Sequence, residues 1–124
     1  MGFEVFPSDD GRYLIMNVTG DVTRQLAMEY NVEAHKTGRA MGINRFLVDM
    51  TESTNVDSIL DNYEFAYKDM KARPEIDNSA VVAVLVRPDD HSHDFIETVA
   101  RNAHLNVTLY RDRDAAIAAL LAAD

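Results

Sequence analysis

The sequence predicts an α/β protein in which a mixed, mostly parallel sheet is covered by helices. One observation is an opening pair of strands joined by a short turn, which indicates an antiparallel hairpin. A second is that every later strand is separated from the next by a segment with helical periodicity, as crossovers between parallel strands require. A third is the apolar run AVVAVLV at 80–86, which is typical of a central strand with both faces covered. The predicted element order is ββαβαβαβα.

The elements of this order follow from local patterns along the chain. They are strands at 3–6 and 12–19, a helix from Thr23 to about 41, a strand at 45–50, a middle helix from Ser58 to about 72, a strand at 80–86, a helix at about 91–104, a strand at 107–110 and a closing helix at 112–123. Asp10-Gly11 suits the positive φ angles of a tight hairpin turn. We expect the residues 20–23 to break the second strand and residues 51–57 to form a polar loop.

Helix ends are marked by residues with specific backbone roles. Thr23 is a plausible N-cap, because its hydroxyl can accept a hydrogen bond from a backbone N–H of the first helical turn. Gly42 is a natural C-terminal stop, since glycine adopts the left-handed conformation found there. Pro74 ends the middle helix. That helix carries an apolar stripe at helical spacing, made of Ile59, Tyr63, Ala66, Tyr67 and Met70.

Composition limits the classes of function. A chain of 124 residues is predicted to form one domain over residues 1–124. Its formal net charge of −9 argues against binding nucleic acid or an anionic membrane surface. The absence of cysteine excludes disulfides, thiolate metal sites and thiol chemistry. The sequence has no signal peptide and no apolar run near the roughly 20 residues of a spanning helix, so we expect a cytoplasmic protein.

No motif predicts catalysis, a cofactor or a metal. The sequence contains no nucleophile elbow, phosphate-binding loop, dinucleotide fingerprint or His-Glu-x-x-His pattern. Acidic residues near His91 and His93 could in principle bind a divalent ion. However, residues two apart on a helix diverge by about 200°, so both imidazoles would not point to one site. We therefore expect a non-catalytic protein.

Several motifs, together with the element order, resemble the STAS family, typified by bacterial anti-sigma factor antagonists. The sequence VTGDV at 18–22 is similar to the exit of that family's second strand, and FLVD at 46–49 to its strand ending in aspartate. Asp57-Ser58 lies where the family carries Asp-Ser-Ser-Gly at the start of a helix. The resemblance implies that Ser58 is a candidate phosphoacceptor for an anti-sigma kinase. However, Ile59 and Leu60 replace the second serine and the glycine.

An uncharacterised, SpoIIAA-like branch of this family fits the sequence better. Its members keep the fold and lack the serine motif, and their middle helix has an aromatic residue followed by x-Asp-x-Lys. Tyr67, Asp69 and Lys71 match that pattern. The resemblance therefore implies a single STAS-like α/β domain that acts as a regulatory or protein–protein interaction module, without defining its role.

We predict that the partner-binding surface comprises the loops after the second and third strands and the middle helix. Its candidate residues are Asp21, Thr23, Glu52, Asp57, Ser58, Leu60 and Phe65. Ser58 is also interpreted as the N-cap of the middle helix. Thr51, Ser53 and Thr54 are further candidate phosphoacceptors.

Two other predictions depend on the middle helix. Leu60 and Phe65 fall outside its core stripe, so they indicate either a buried boundary or an exposed apolar patch for a partner or a second copy of the chain. The alternative function is a small apolar-ligand or lipid-binding protein. Its pocket would lie between the sheet and this helix, enclosed by Tyr63, Tyr67 and Met70.

Overall fold

The computed structural model describes residues 2–55, 80–91 and 106–122. The elements are β1 (Gly2–Pro7), β2 (Leu14–Val22), α1 (Arg24–Met41), β3 (Arg45–Asn55), β4 (Val81–Leu85), β5 (Asn106–Tyr110) and α2 (Arg113–Ala122). The strands form one sheet in the order β1-β2-β3-β4-β5. β1 and β2 are antiparallel, and every other neighbouring pair is parallel. The predicted mixed, mostly parallel sheet is confirmed.

The strands alternate their side chains between two hydrophobic clusters, one on each face of the sheet. The first cluster places Met16, Phe46 and Val84 against α1, where Ala34 is fully buried. The second places Leu47 and Leu85 against Leu120 and other apolar residues of α2. The consecutive apolar residues of the central strands therefore serve both faces, as the sequence predicts.

The β1–β2 hairpin closes through a turn built around Ser8. The backbone N–H of Ser8 donates to the carbonyl of Tyr13 at 2.8 Å, and its hydroxyl donates to Asp10 Oδ1 at 2.7 Å. The hydrogen bond from Ser8, followed by one from the backbone N–H of Arg12, lowers the pKa of Asp10. Gly11 adopts a φ of 71°, which confirms that the turn needs glycine.

α1 begins and ends at the residues that the sequence indicates. The hydroxyl of Thr23 accepts a hydrogen bond from the backbone N–H of Leu26 at 3.3 Å. Gly42 has the left-handed φ of 71°, and its N–H and that of Ile43 donate to the carbonyls of Arg39 and Gly38. The last turn thereby satisfies two carbonyls that the helix leaves without partners.

Two predicted boundaries are wrong. β2 continues through Gly20 and Asp21 to Val22, where a break was expected, and β3 continues to Asn55 through the expected loop. The two extensions pair with each other, from Thr19 opposite Glu52 to Val22 opposite Asn55. Each polar segment satisfies the backbone groups of the other, and this pairing is not visible in the local polarity of either segment.

The predicted middle helix at 58–72 and residues 92–104 of the next predicted helix lie outside the described residues. The predictions for Ser58 and Leu60 in the middle helix, and for Asp57 in the loop before it, are therefore untested. The strand at 80–86, the last strand and the closing helix are confirmed with small shifts of their ends.

Gly38 generates a stability prediction, because it lies where α1 turns back toward β3. A Cβ at this position would lie 2.6 Å from the carbonyl oxygen of Ile43 and 3.0 Å from Phe46 Cζ. We expect Gly38→Ala to lower the free energy of unfolding by about 1–3 kcal/mol, despite the better helix propensity of alanine. Urea denaturation measures this loss. Gly2→Ala is the control, since a Cβ there meets no atom within 4 Å; equal stability of the two variants would contradict the packing argument.

Candidate functional site

The carboxyl ends of the parallel strands β2, β3 and β4 lie side by side along one edge of the sheet, here called the carboxyl edge. It comprises residues 20–23, 49–55 and 86–91, together with the residues that join β5 to α2 at 111–113. In open α/β sheets, ligands and partners usually bind at this end of the strands. The exits of these three parallel strands therefore converge at one place on the protein surface.

Asp49 is a carboxylate of this edge that accepts three hydrogen bonds. Its Oδ1 accepts hydrogen bonds from the backbone N–H of Thr51 at 3.0 Å and from the Thr51 hydroxyl at 2.7 Å. Its Oδ2 accepts one from Nη1 of Arg113, the first residue of α2, at 2.9 Å. The side chain of Asp49 is 19% exposed. The carboxylate therefore joins the middle of β3 to the start of the closing helix.

The environment of Asp49 stabilises its ionised form. Burial by itself would raise the pKa of this carboxyl group, but the two hydrogen bonds from Thr51 and the Arg113 guanidinium outweigh it. The pKa of Asp49 consequently lies below its ordinary value. A carboxylate held in this way is a poor general base, because it resists protonation near neutral pH. We assign it a structural role.

Two further arginines fix the loop after β4. Arg87 Nη1 donates to the carbonyl oxygen of Thr51 at 2.9 Å, and Arg87 Nη2 lies 3.6 Å from Asp90 Oδ2. Arg111 Nη2 donates to the carbonyl oxygen of Asp90 at 3.1 Å and contacts His91 Nδ1 at 3.4 Å. The side chain of Asp90 is only 6% exposed. The exits of β3, β4 and β5 are thus held together by charged hydrogen bonds.

The predicted partner-binding residues separate into two groups. Asp21 and Glu52 are exposed near the ends of β2 and β3, and Thr23 is partly buried as the N-cap of α1. Their register places Asp21 opposite Thr54 and Glu52 opposite Thr19, so the two acidic residues lie on adjacent strands. The remaining candidates are outside the described residues: Asp57, Ser58, Leu60 and Phe65, together with the predicted pocket residues Tyr63, Tyr67 and Met70.

The hydroxyls of Thr51 and Ser53 in β3 point to protein groups. Ser53 is 2% exposed and its hydroxyl donates to the carbonyl oxygen of Met50 at 3.2 Å. The hydroxyl of Thr51 is committed to Asp49. Neither position presents a free hydroxyl to a kinase in this conformation, and nothing about the Thr54 side chain is described.

Sequence reasoning missed the role of Arg113. It is 64 residues from Asp49 and opens an otherwise ordinary amphipathic helix, so no local pattern marks it. The only available signal was its position at the start of the helix that follows the last strand, because that junction returns to the carboxyl edge. Arg111 directly follows β5, and Arg87 follows β4 after Val86.

The described residues provide little that would hold a ligand. Among them, no group of three or more His, Asp or Glu side chains is arranged to bind a metal ion. One open pocket of about 120 Å³ lies between α2 and strands β4 and β5, with Val82, Thr108 and Leu120 in its lining. It is well below the roughly 300 Å³ of a typical small-molecule site. Within the same described ranges, no helix has the length and apolar character needed to cross a membrane.

Several solved structures resemble this chain, and two of them are informative about its fold. One is an uncharacterised protein of the DUF3478 family with a SpoIIAA-like fold from Shewanella loihica PV-4; the TM-score is 0.53 at 19% sequence identity, over 96% of this chain and 92% of that one. The other is the anti-sigma factor antagonist SpoIIAA in its unphosphorylated form; the TM-score is 0.57 at 10% identity, over 98% of this chain and 100% of that one. No protein-family model and no curated protein matches the sequence.

These matches define the class of fold. The chain has the SpoIIAA-like α/β fold of the STAS type, as its sequence resemblance implies. At identities of 19% and 10%, the likeness extends to the fold alone.

The hydrogen bonds of Asp49 predict a pH-dependent contribution to stability. A carboxyl whose pKa is lower in the folded than in the unfolded chain stabilises the fold above its unfolded pKa of about 3.9 and loses this contribution as pH falls through the folded value. We expect Asp49→Asn to lower the free energy of unfolding at about pH 7 by about 1–2 kcal/mol, because one partner of a charged hydrogen-bond network is removed. Urea denaturation across the acidic range measures the difference, which should shrink toward low pH.

Asp9→Asn is the matched control for this measurement, since Asp9 is an exposed carboxylate in the hairpin turn. Its effect should stay within about 0.5 kcal/mol at every pH. A loss in Asp49→Asn that is the same at low and neutral pH would show that the ionised form of Asp49 is not what stabilises this edge.

Thr23 allows its capping role to be separated from any role in binding. Thr23→Ala should lower the free energy of unfolding by about 1 kcal/mol, whereas Thr23→Ser keeps the accepting hydroxyl and should be close to wild type. Thermal or urea denaturation of the three proteins is the measurement. Equal losses in both variants would contradict the cap.

Proposed function

We propose that this chain is a non-catalytic, STAS-like regulatory module that acts by binding a protein partner through its carboxyl edge. The observation that carries the proposal is the match to the anti-sigma factor antagonist SpoIIAA over 98% of this chain and 100% of that protein. An anti-sigma factor antagonist acts on another protein. The match to an uncharacterised DUF3478 protein is consistent with this fold class and adds no activity.

The described part of the carboxyl edge supports a binding role. Asp49 and Asp90 are engaged by Arg113 and Arg87, so the backbone beneath the edge is held in place. Asp21 and Glu52, in contrast, are exposed on the adjacent strands β2 and β3. Fixed backbone with exposed acidic side chains is the arrangement expected of a preorganised protein-binding surface, because little ordering is needed on association.

We further propose that Asp57, Ser58, Leu60 and Phe65 extend this surface. Ser58 is the position that the family resemblance makes a phosphoacceptor. A phosphate adds a charge of about −1.5 to −2, which would weaken docking on an edge that already exposes acidic groups. The partner proposed for this mechanism is an anti-sigma-factor-type kinase in the cytoplasm. Self-association through Leu60 and Phe65 remains a separate proposal, which light scattering at increasing concentration tests.

The alternative of a small apolar-ligand or lipid-binding protein has no supporting observation in the described residues. Its proposed pocket residues Tyr63, Tyr67 and Met70 lie outside them. The described pocket near α2 is on the face opposite to α1 and is small.

The proposal predicts that charge reversal at the carboxyl edge weakens partner binding. The purified chain is titrated calorimetrically with each anti-sigma-type kinase of the same organism, and Asp21→Arg and Glu52→Arg are compared with Asp9→Arg in the hairpin turn at the opposite edge. We expect each edge variant to weaken binding by about tenfold and the control to leave it unchanged, because only the edge residues face the partner.

Ser58 is tested in the same titration. Incubation with kinase and ATP, followed by mass spectrometry, should reveal a phosphate at Ser58, and Ser58→Asp should bind more weakly than Ser58→Ala. If Ser58 is not modified and the two variants bind equally, phosphorylation does not regulate binding. The proposal that the chain binds a partner would still stand. Absence of binding to every such kinase would overturn the proposed partner class.

A further inference from the structure

The sheet face that carries α2 is only partly covered among the described residues. α2 contacts β3, β4 and β5, while α1 contacts β1 and β2 on the opposite face. On this face, the burial of side chains decreases along one row of paired residues that crosses β3, β2 and β1. Leu47 on β3 is 0% exposed, Ile15 on β2 is partly buried, and Phe6 on β1 is 38% exposed.

The uncovered part, here called the open face, comprises Glu4, Phe6, Ile15, Asn17, Asp21 and Glu52. Strand alternation and register place these residues together: Phe6 lies opposite Ile15, and Glu4 lies opposite Asn17. A register shift in the pairing of β2 with β3 brings Glu52 opposite Thr19, onto the face that Asp49 also occupies. The open face therefore has an apolar row at the hairpin end and exposed acidic residues toward the carboxyl edge.

On this face β1 and β2 contribute only negative charge, and β3 contributes Glu52 near its end and Arg45 at its start. The segments Gly2–Pro7 and Leu14–Val22 contain no Lys or Arg. The described arginines around this face all have partners within the chain: Arg113 bonds to Asp49, Arg12 lies 4.0 Å from Asp10 in the hairpin turn, and Arg45 also makes an interaction. Glu4, Asp21 and Glu52 are all exposed.

The negative charge of the open face limits which kinds of partner can bind it. A second copy of the chain would place the same acidic side chains against each other and bring together two proteins of net charge −9, which is repulsive. Nucleic acids and anionic lipid surfaces are excluded for the same reason. A segment with Lys or Arg beside an apolar stripe would instead complement both the Phe6–Ile15 row and the acidic residues.

We infer that the open face is a second docking surface, which binds a positively charged amphipathic helix of a partner protein. Apolar side chains of that helix would cover Phe6 and Ile15, and its basic side chains would lie near Glu4, Asp21 and Glu52. β1 is six residues long. Six strand residues extend about 20 Å, which corresponds to about thirteen residues of helix. Helix-in-groove recognition of this type is a common mode of peptide binding.

The two residues that test this inference, Glu4 and Phe6, have no part in the proposed function. Glu4 and Phe6 belong to β1, which does not contribute to the carboxyl edge. Variants of these two residues should therefore leave binding of an anti-sigma-type kinase at that edge unchanged, so the failure of either idea is visible without the other.

The test uses a synthetic fourteen-residue peptide of leucine and lysine in helical repeat as the probe, with the lysines replaced by glutamates in a matched second peptide. Binding to the full chain is followed by changes in backbone amide chemical shifts. We expect the lysine peptide to shift the amides of β1 and β2, with an affinity that falls at least about threefold when salt is raised from low to physiological concentration. The glutamate peptide should cause no shifts.

Three variants locate the contact. Phe6→Ala should weaken the lysine peptide about tenfold through loss of the apolar anchor, and Glu4→Gln about threefold through loss of one exposed charge. Asp9→Asn removes one exposed charge in the hairpin turn and should change nothing. Circular dichroism establishes that each variant is folded. If Phe6→Ala is unfolded, the weaker binding of Glu4→Gln still tests whether the open face contacts the peptide.

Several results would overturn the inference. Shifts that map to α1 or α2 instead of β1 and β2 would place the binding elsewhere, and equal binding of both peptides would remove the role of charge. Concentration-dependent shifts of β1 and β2 in the protein alone would show that a second copy, rather than a basic helix, covers this face.

Discussion

The parallel pairing of β2 with β3 is the constraint on which the rest of this structure depends. It lies between the antiparallel hairpin on one side and β4 and β5 on the other. Its first part, from Leu14 opposite Phe46, aligns the core residues of both faces. Its second part begins after a register shift and pairs two polar segments up to Val22 and Asn55. Without that second part, neither the start of α1 nor the carboxyl edge would have its position.

The register shift also decides which acidic residues share a face. Asp49 and Glu52 are three positions apart and would point to opposite faces of a regular strand. One extra residue in β3 brings them to the same face, opposite Asn17 and Thr19 respectively. Their environments then diverge. Asp49 lies under the start of α2 and is bound by Arg113, whereas Glu52 is exposed. Position relative to α2 therefore separates a structural carboxylate from one that a partner can reach.

α2 affects both the core and the exposed surface of the sheet. Its apolar side packs Ala116 and Leu120 against β3 and β4, and Arg113 fixes its first turn to Asp49. This anchoring limits the part of the sheet that the helix covers, and Phe6 and Glu4 at the far edge are left exposed. The same helix thus completes the core and defines the border of the open face. The two surfaces that we propose, at the carboxyl edge and on the open face, meet at Asp21 and Glu52, and only the open face extends to Glu4 and Phe6 on β1.

The order of strands and helices in the described part of the chain was determined by the sequence alone, because it follows from local periodicity and from single residues with strong backbone preferences. Thr23 and Gly42 mark α1, Gly11 marks the hairpin turn, and the apolar run at 80–86 marks a central strand. The STAS-type fold could also be anticipated, since short motifs occur at the right places in that order.

Only the tertiary structure decided the lengths of β2 and β3, the role of Arg113 and the burial of Ser53 and Asp90. Each of these depends on groups far apart in the chain: backbone that pairs across strands, or a guanidinium 64 residues from its carboxylate. Local polarity carries no information about such partners, which is why a segment that reads as a polar loop is instead part of the sheet.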